Sequence, residues 1–304
     1  VHIPSMQAIS PPEWVEDSER TQCYQCNKEF TLTCRRHHCR ACGEIFCSDC
    51  SGYWFQLPHD FQCPEPTRAC LKCFKEYSTI DYSTFYDVNG AEESDTLVIF
   101  IHDACRTRKQ FLPQMVPFSE NFRIAALDLP AHGARMEEKL DLKSAHDSIH
   151  HIIDNEGKDK KIVLIGDGFG SCIAVSFVYT FPDACSSLIL TNGWKTATQS
   201  SFRLKLKDLL LSILSRRVLT EHWKCPLGTL DAQLDKTLLE EVFTRTGIFY
   251  DAWEYVSFLL KNNDFEKMLS HLQHPMLLIE GEKITNVAAV KEWISKNKNA
   301  SVEF

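Results

Sequence analysis

Four Cys-x-x-Cys pairs, Cys23/Cys26, Cys39/Cys42, Cys47/Cys50 and Cys70/Cys73, crowd into the first quarter of this sequence. Twelve, four and nineteen residues separate successive pairs. A Cys-x-x-Cys turn lets two thiolates face one metal, and four thiolates fill a tetrahedral zinc shell. Eight ligands therefore predict two structural Zn2+ ions. Between the first pair and the third lies Arg35-Arg36-His37-His38-Cys39-Arg40, a basic hexapeptide whose backbone zinc would clamp. Arginine presents a planar fork of donors to phosphate oxygens, and a neighbouring histidine adds short-range donors. Residues 1–74 carry more Asp and Glu than Lys and Arg. The positive charge is thus concentrated at one spot, which suits a pocket for a compact anion better than a stripe for nucleic acid. A plain solvated charge run is the alternative, and the zinc ladder around it weighs against that.

These motifs, with Trp14-Val15-Glu16-Asp17 upstream and Arg68-Ala69-Cys70 downstream, resemble the FYVE zinc finger. The resemblance covers residues 10–78 and departs from the family only where its RVC motif reads Arg-Ala-Cys. It implies binding of phosphatidylinositol 3-phosphate on the early endosome membrane. It also implies cross-braced ligation, with Cys23, Cys26, Cys47 and Cys50 on one ion and Cys39, Cys42, Cys70 and Cys73 on the other. Arg35, Arg36, Arg40 and Arg68 would then contact phosphates, while Asp17, His37 and His38 fix the head group's hydroxyls. Leu32 and Thr33 would tip a loop that dips into the bilayer, with Phe30 behind them in the small core. One leucine is a weak anchor, since burying an aliphatic side chain yields about 1.5–3 kcal/mol. Lasting attachment then needs the specific lipid plus a second contact or a homodimer.

The whole chain has 304 residues, 14 cysteines and a formal net charge of −8. That length holds one small and one medium domain, and that charge argues against general nucleic-acid binding. Outside the ladder, Cys34, Cys63, Cys105, Cys172, Cys185 and Cys225 are scattered singly, as reduced thiols of a cytoplasmic protein would be. No apolar run is long enough to span a membrane, and no signal peptide opens the chain. A start at Val1 and an end inside the strand-like run 300–304 predict a piece of a longer protein.

Residues 79–95 are polar and mixed, and read as a linker. From residue 96 onward the texture changes. Short apolar runs at 97–101, 123–127, 162–165, 188–190 and 276–279 suit strands buried on both faces of a mostly parallel sheet. Stretches 142–153 and 171–180 between them read as helices, so the expected class is an α/β domain with right-handed crossovers. The order of landmarks resembles the α/β-hydrolase fold over 97–304: His102-Asp103, then Asp128-Leu129-Pro130-Ala131-His132-Gly133, then Gly166-Asp167-Gly168-Phe169-Gly170. Residues 194–272 would form its helical cap, and the strand 188–192 resembles the maspardin branch of the fold.

A hydrolase of this fold needs a serine at the elbow, an acid and a histidine. The elbow position is Gly168, the acid position reads Ile284, and the histidine would fall beyond residue 304. Three substitutes are weaker. Cys172 lies one helical turn past the elbow and reads as a core thiol. Asp167 flanks the elbow as polar residues often do. The glycine-rich turn lacks the last glycine of a dinucleotide loop, and no acidic residue closes the next strand. His132 and the pair His150/His151 read as structural. The basic amphipathic segment 202–219 could touch anionic lipid, but its apolar positions more simply cover a core.

The expectation is an endosomal adaptor that binds phosphatidylinositol 3-phosphate, with no catalytic residues and a scaffold domain that takes a protein partner. Two alternatives stay open: a membrane-recruited lipid or ester hydrolase with an atypical nucleophile, and a protein-binding zinc finger.

Overall fold

The computed structural model describes residues 11–63, 65–193, 249, 251–281 and 287–303. They fall into two units that divide between Ile80 and Asp81.

The first unit is a cysteine-rich finger with little regular structure. Strand β1 (His37–His38) pairs antiparallel with β2 (Ile45–Phe46), and β3 (Tyr53–Phe55) pairs antiparallel with β4 (Thr67–Ala69). Helix α1 (Leu71–Tyr77) follows and carries Cys73 on its buried side. Ile45, Phe46, Phe55, Phe61 and Phe74 supply a small apolar core around the cysteines. So few buried side chains cannot offset the entropy of ordering a chain of this length, which is why such a module needs metal.

The second unit is built on a seven-stranded sheet among the described residues, in the order β11-β10-β9-β8-β6-β7-β5. Its strands are β5 (Tyr86–Gly90), β6 (Thr96–Ile101), β7 (Arg123–Leu127), β8 (Lys161–Asp167), β9 (Ser187–Thr191), β10 (Met276–Ile279) and β11 (Ala300–Glu303). All neighbours run parallel except β5, which lies antiparallel on β7. The five apolar runs read from the sequence are β6 to β10. Their continuity is explained by burial: Leu97, Ile99, Ile101, Ile124, Leu127 and Leu164 are closed to solvent on one face or the other. Helices α2 (Leu112–Ser119), α3 (Leu142–Glu156) and α4 (Phe169–Thr180) cross between these strands. Asp141 and Ser144 form a reciprocal capping box that starts α3. Ten of the twelve residues of α4 are buried, so this helix packs centrally and holds the turn before it in place.

One expectation is corrected. The stretch 79–95 is not all linker, because Tyr86 to Gly90 pair residue by residue with Leu127 to Arg123. Hydropathy missed this strand because its residues are half-exposed at a sheet edge. Of the expected cap, helices α5 (Ala252–Asn262) and α6 (Phe265–His271) are present, and α7 (Val287–Lys296) follows β10. Segment 202–219 and Ile284 lie outside the described residues.

Candidate functional site

The eight ladder cysteines gather into two groups, Cys23, Cys26, Cys47 and Cys50 in one and Cys39, Cys42, Cys70 and Cys73 in the other. Within each group the sulfur atoms lie within 4.8 Å of one another. Cys26 and Cys47 Sγ stand 3.8 Å apart, and a tetrahedron of sulfurs at Zn–S of about 2.3 Å has edges of about 3.8 Å. Cys70 N–H also points at Cys39 Sγ from 3.3 Å, a donor that favours thiolate. Donor type, number and spacing fit two zinc ions. Each ion joins alternate pairs, so the finger is cross-braced.

That bracing sets the basic cluster. His37 and His38 form β1, and Arg40 N–H donates to the Arg68 carbonyl at 3.0 Å, which brings β4 beside the hexapeptide. The Trp14 segment is laid across Gly43, where Val15 N–H donates to the Gly43 carbonyl at 3.1 Å. A Cβ at Gly43 would meet the Glu13 carbonyl at 2.2 Å, and its φ of +74° favours glycine independently.

Each phosphate-competent arginine of the cluster except Arg35 rides on an aromatic ring. Arg36 lies 5.0 Å over Phe30, Arg40 4.9 Å over Trp14 and Arg68 5.3 Å over Trp54. Each also donates to a backbone carbonyl: Arg36 Nε to that of Arg20 at 2.9 Å, Arg40 Nη1 to that of His38 at 2.6 Å, and Arg68 Nη1 to that of Ser51 at 2.9 Å. Phe30 is therefore a half-buried platform for Arg36 rather than a core residue. Trp14 stacks on His38 at 4.7 Å, while the His38 Nε2 donates to the Val15 carbonyl at 2.8 Å. Asp17 stays exposed, 3.9 Å from His38. Burial lowers the His37 pKa, and Arg68, Arg40 and Arg35 lower it further. Leu32 is 93% exposed at the loop tip, beside exposed Thr33. The roles of the rings under the arginines were hidden from the sequence, since only folding puts Phe30, Trp14 and Trp54 beneath their partners.

In the second unit, the turn after β8 is a nucleophile elbow in shape. Gly168 has φ +50° and ψ −112° and precedes α4. It has no side chain, and the next candidates face inward. Ser171 Oγ donates to the Gly166 carbonyl at 2.7 Å, and burial raises the Cys172 thiol pKa. Asp167 is tied up by Gln110 Nε2 at 2.5 Å, Thr191 Oγ1 at 2.6 Å and Asn192 Nδ2 at 3.1 Å. His132 Nε2 accepts the Cys105 N–H at 3.0 Å and its Nδ1 donates to the Pro130 carbonyl at 2.9 Å, a structural role.

A cross-braced two-zinc finger followed by an α/β-hydrolase fold is the class these features define. Residues 13–79 match the FYVE zinc finger family. A relative, FYVE, RhoGEF and PH domain-containing protein 6 from Homo sapiens, is 39% identical over 103 residues, 33% of this chain and 7% of its own. RUN and FYVE domain-containing protein 2 from Pongo abelii is 50% identical over 67 residues, 22% of this chain and 11% of its own. The chain thus spans a small fraction of these relatives. For the second unit, MenH from S. aureus superposes with a TM-score of 0.56 at 18% identity, over 72% of this chain and 88% of that one. The enol-lactonase from Burkholderia xenovorans LB400 gives 0.58 at 15% identity, over 71% and 85%. At these identities the likeness carries the fold alone.

Proposed function

We propose that this protein reads phosphatidylinositol 3-phosphate on the cytoplasmic face of early endosomes and that its hydrolase-fold unit is a non-catalytic scaffold. The observation that carries the first part is the cluster itself: Arg36, Arg40 and Arg68 are held on rings and carbonyls beside a leucine that is 93% exposed. Arginines oriented before the ligand arrives lose less entropy on binding a phosphate, and an apolar tip beside them suits a bilayer surface. Asp17, Arg35, Arg36, His37, His38, Arg40 and Arg68 form the head-group site, and Leu32 and Thr33 enter the membrane. A single finger with one apolar residue at its tip binds weakly, so a homodimer would strengthen attachment through avidity.

The second part rests on Gly168 at the elbow, Ile284 at the acid position and the inward-facing Ser171 and Cys172. With no nucleophile, the unit's remaining use is as a surface for a protein partner. Its likeness to maspardin belongs to this same reading.

Liposome co-sedimentation with and without phosphatidylinositol 3-phosphate tests the proposal, with Arg36→Ala/Arg40→Ala as control. Binding that depends on the lipid and is lost in the variant is expected. Equal binding by both proteins, or none by either, would sink the lipid reading and leave a protein-contact finger.

A further inference from the structure

At the carboxyl ends of β6 and β8 the second unit builds a cradle for negative charge. The Phe169 N–H opens α4, a twelve-residue helix whose N-terminus favours an anion. Ala104 lies across from it in the loop after β6. In hydrolases of this fold an N–H after the elbow and one from the neighbouring loop receive the oxygen of the reacting carbonyl.

Here the chain's own carboxylate occupies that position. Asp103 Oδ1 accepts the Phe169 N–H at 2.7 Å. A Cβ built on Gly168 would meet Asp103 Oδ1 at 2.1 Å, Cγ at 2.4 Å and Oδ2 at 2.8 Å. The carboxylate therefore also takes the room that any elbow side chain would need. Its backbone is clamped: Asp103 N–H donates to Gln110 Oε1 at 3.1 Å, and the Asp103 carbonyl accepts the His102 Nδ1 hydrogen at 2.7 Å. Gln110 is itself bound to Asp167 on β8, so the loop cannot shift without breaking bonds on both sides.

We propose that Asp103 is the resident anion of this cradle, an internal plug that keeps carboxylate and acyl groups out of the crevice whatever residue stands at position 168. This goes beyond the proposed absence of catalysis. A missing nucleophile is one substitution from repair, whereas a filled cradle blocks the substrate's oxygen as well. The plug is held against resistance, because burial and the nearby Asp167 push the Asp103 carboxyl up to about 6. The Phe169 N–H pulls in the opposite direction and favours the charged form.

Gly168-Phe169 is the only Gly-Phe pair in the sequence. Carbonyl-13C glycine with 15N phenylalanine therefore isolates the Phe169 amide as a single NMR resonance in the full chain. The wild-type resonance is expected to lie downfield, as for an amide bonded to carboxylate, and to ignore added acetate. In Asp103→Gly it should move upfield and be restored saturably by acetate. In Asp103→Asn, which keeps the shape and loses the charge, it should move partway and ignore acetate. An Asp103→Gly resonance that stays put, or one that moves but does not answer to acetate, would overturn the plug. So would a wild-type resonance that titrates with acetate. If the glycine variant does not fold, the asparagine variant decides: an unmoved resonance overturns the proposal and a moved one supports it. Ester turnover by the wild-type protein would sink the non-catalytic reading, whereas an unmoved Phe169 sinks the plug alone.

Discussion

Two fully buried histidines should make the second unit acid-sensitive. His102 and His132 have no exposed surface, and their rings meet edge to face at 4.8 Å. Each uses one ring nitrogen to accept a backbone N–H, from Leu129 for His102 and from Cys105 for His132, both at 3.0 Å. Protonation would bury a charge and turn that acceptor into a second donor facing a donor. Burial accordingly lowers His102 from 6.5 to about 4, helped by Arg108 and Arg106, and His132 from 6.5 to about 3, helped by His102. Both pKa values are depressed in the fold, so the unfolded chain binds more protons below pH 6.5. Their contribution is complete above that value and is lost as the pH falls towards 4 and 3. From pH 7 to pH 5 each histidine should remove about 2 kcal/mol, one and a half pH units at 1.36 kcal/mol per unit. Asp103 works the other way. Its raised pKa of about 6 means that its protonation restores stability as the pH drops from 6 towards 3.8, by about 1.4 kcal/mol at pH 5. The measurement is urea unfolding of the full chain at pH 7 and pH 5, read by pulsed hydrogen exchange in peptides spanning 96–132. His132→Gln keeps one donor and one acceptor but cannot titrate. Its loss between the two pH values should be smaller than that of the wild type by about 2 kcal/mol, and zinc release affects both proteins alike. Equal losses in the two would refute the reasoning.

Three other outcomes follow from the same structure. A zinc chelator should abolish hydrogen-exchange protection across residues 23–73 and leave that of 96–193 in place, since structural zinc supplies roughly 10–16 kcal/mol in modules of this kind; uniform protection before and after would exclude metal as the brace. Asp128→Ala strips the 2.5 Å partner from the Arg108 guanidinium, which is 2% exposed, and should cost about 3–5 kcal/mol; a loss no greater than that of the surface variant Lys143→Ala would show the pair to be unimportant. Leu32→Ser should weaken binding to vesicles containing phosphatidylinositol 3-phosphate by roughly tenfold or more, the worth of a buried aliphatic side chain; unchanged partitioning would take the loop out of the membrane.

The metal pairs, the basic hexapeptide and the central strands were all legible in the sequence because each depends on local spacing or on a run of like residues. Cys-x-x-Cys geometry needs no tertiary context, and strands buried on both faces must be continuously apolar. Three features were not legible. Strand β5 is half-exposed and carries no apolar run, so its polar residues read as connection. Phe30 was expected in the small core behind the loop tip, yet Arg36 covers it from 5.0 Å. Asp103 gave no signal as a ligand, because its proximity to Phe169 joins residues 66 apart in the chain. What the sequence did offer there was the missing side chain at Gly168, half of a pair whose other half only the fold supplies.

Strand β5 also bears on how the second unit can be produced alone. Hydropathy alone would place its first residue near 96, which leaves the five residues Tyr86–Gly90 behind. β7 would then become the rim, although Ile124, Ala125, Ala126 and Leu127 are wholly buried. An uncovered, apolar rim with free N–H and C=O groups is a template for other chains, so such a fragment should precipitate or self-associate. Cleavage at the Ile80–Asp81 division keeps the covering strand attached.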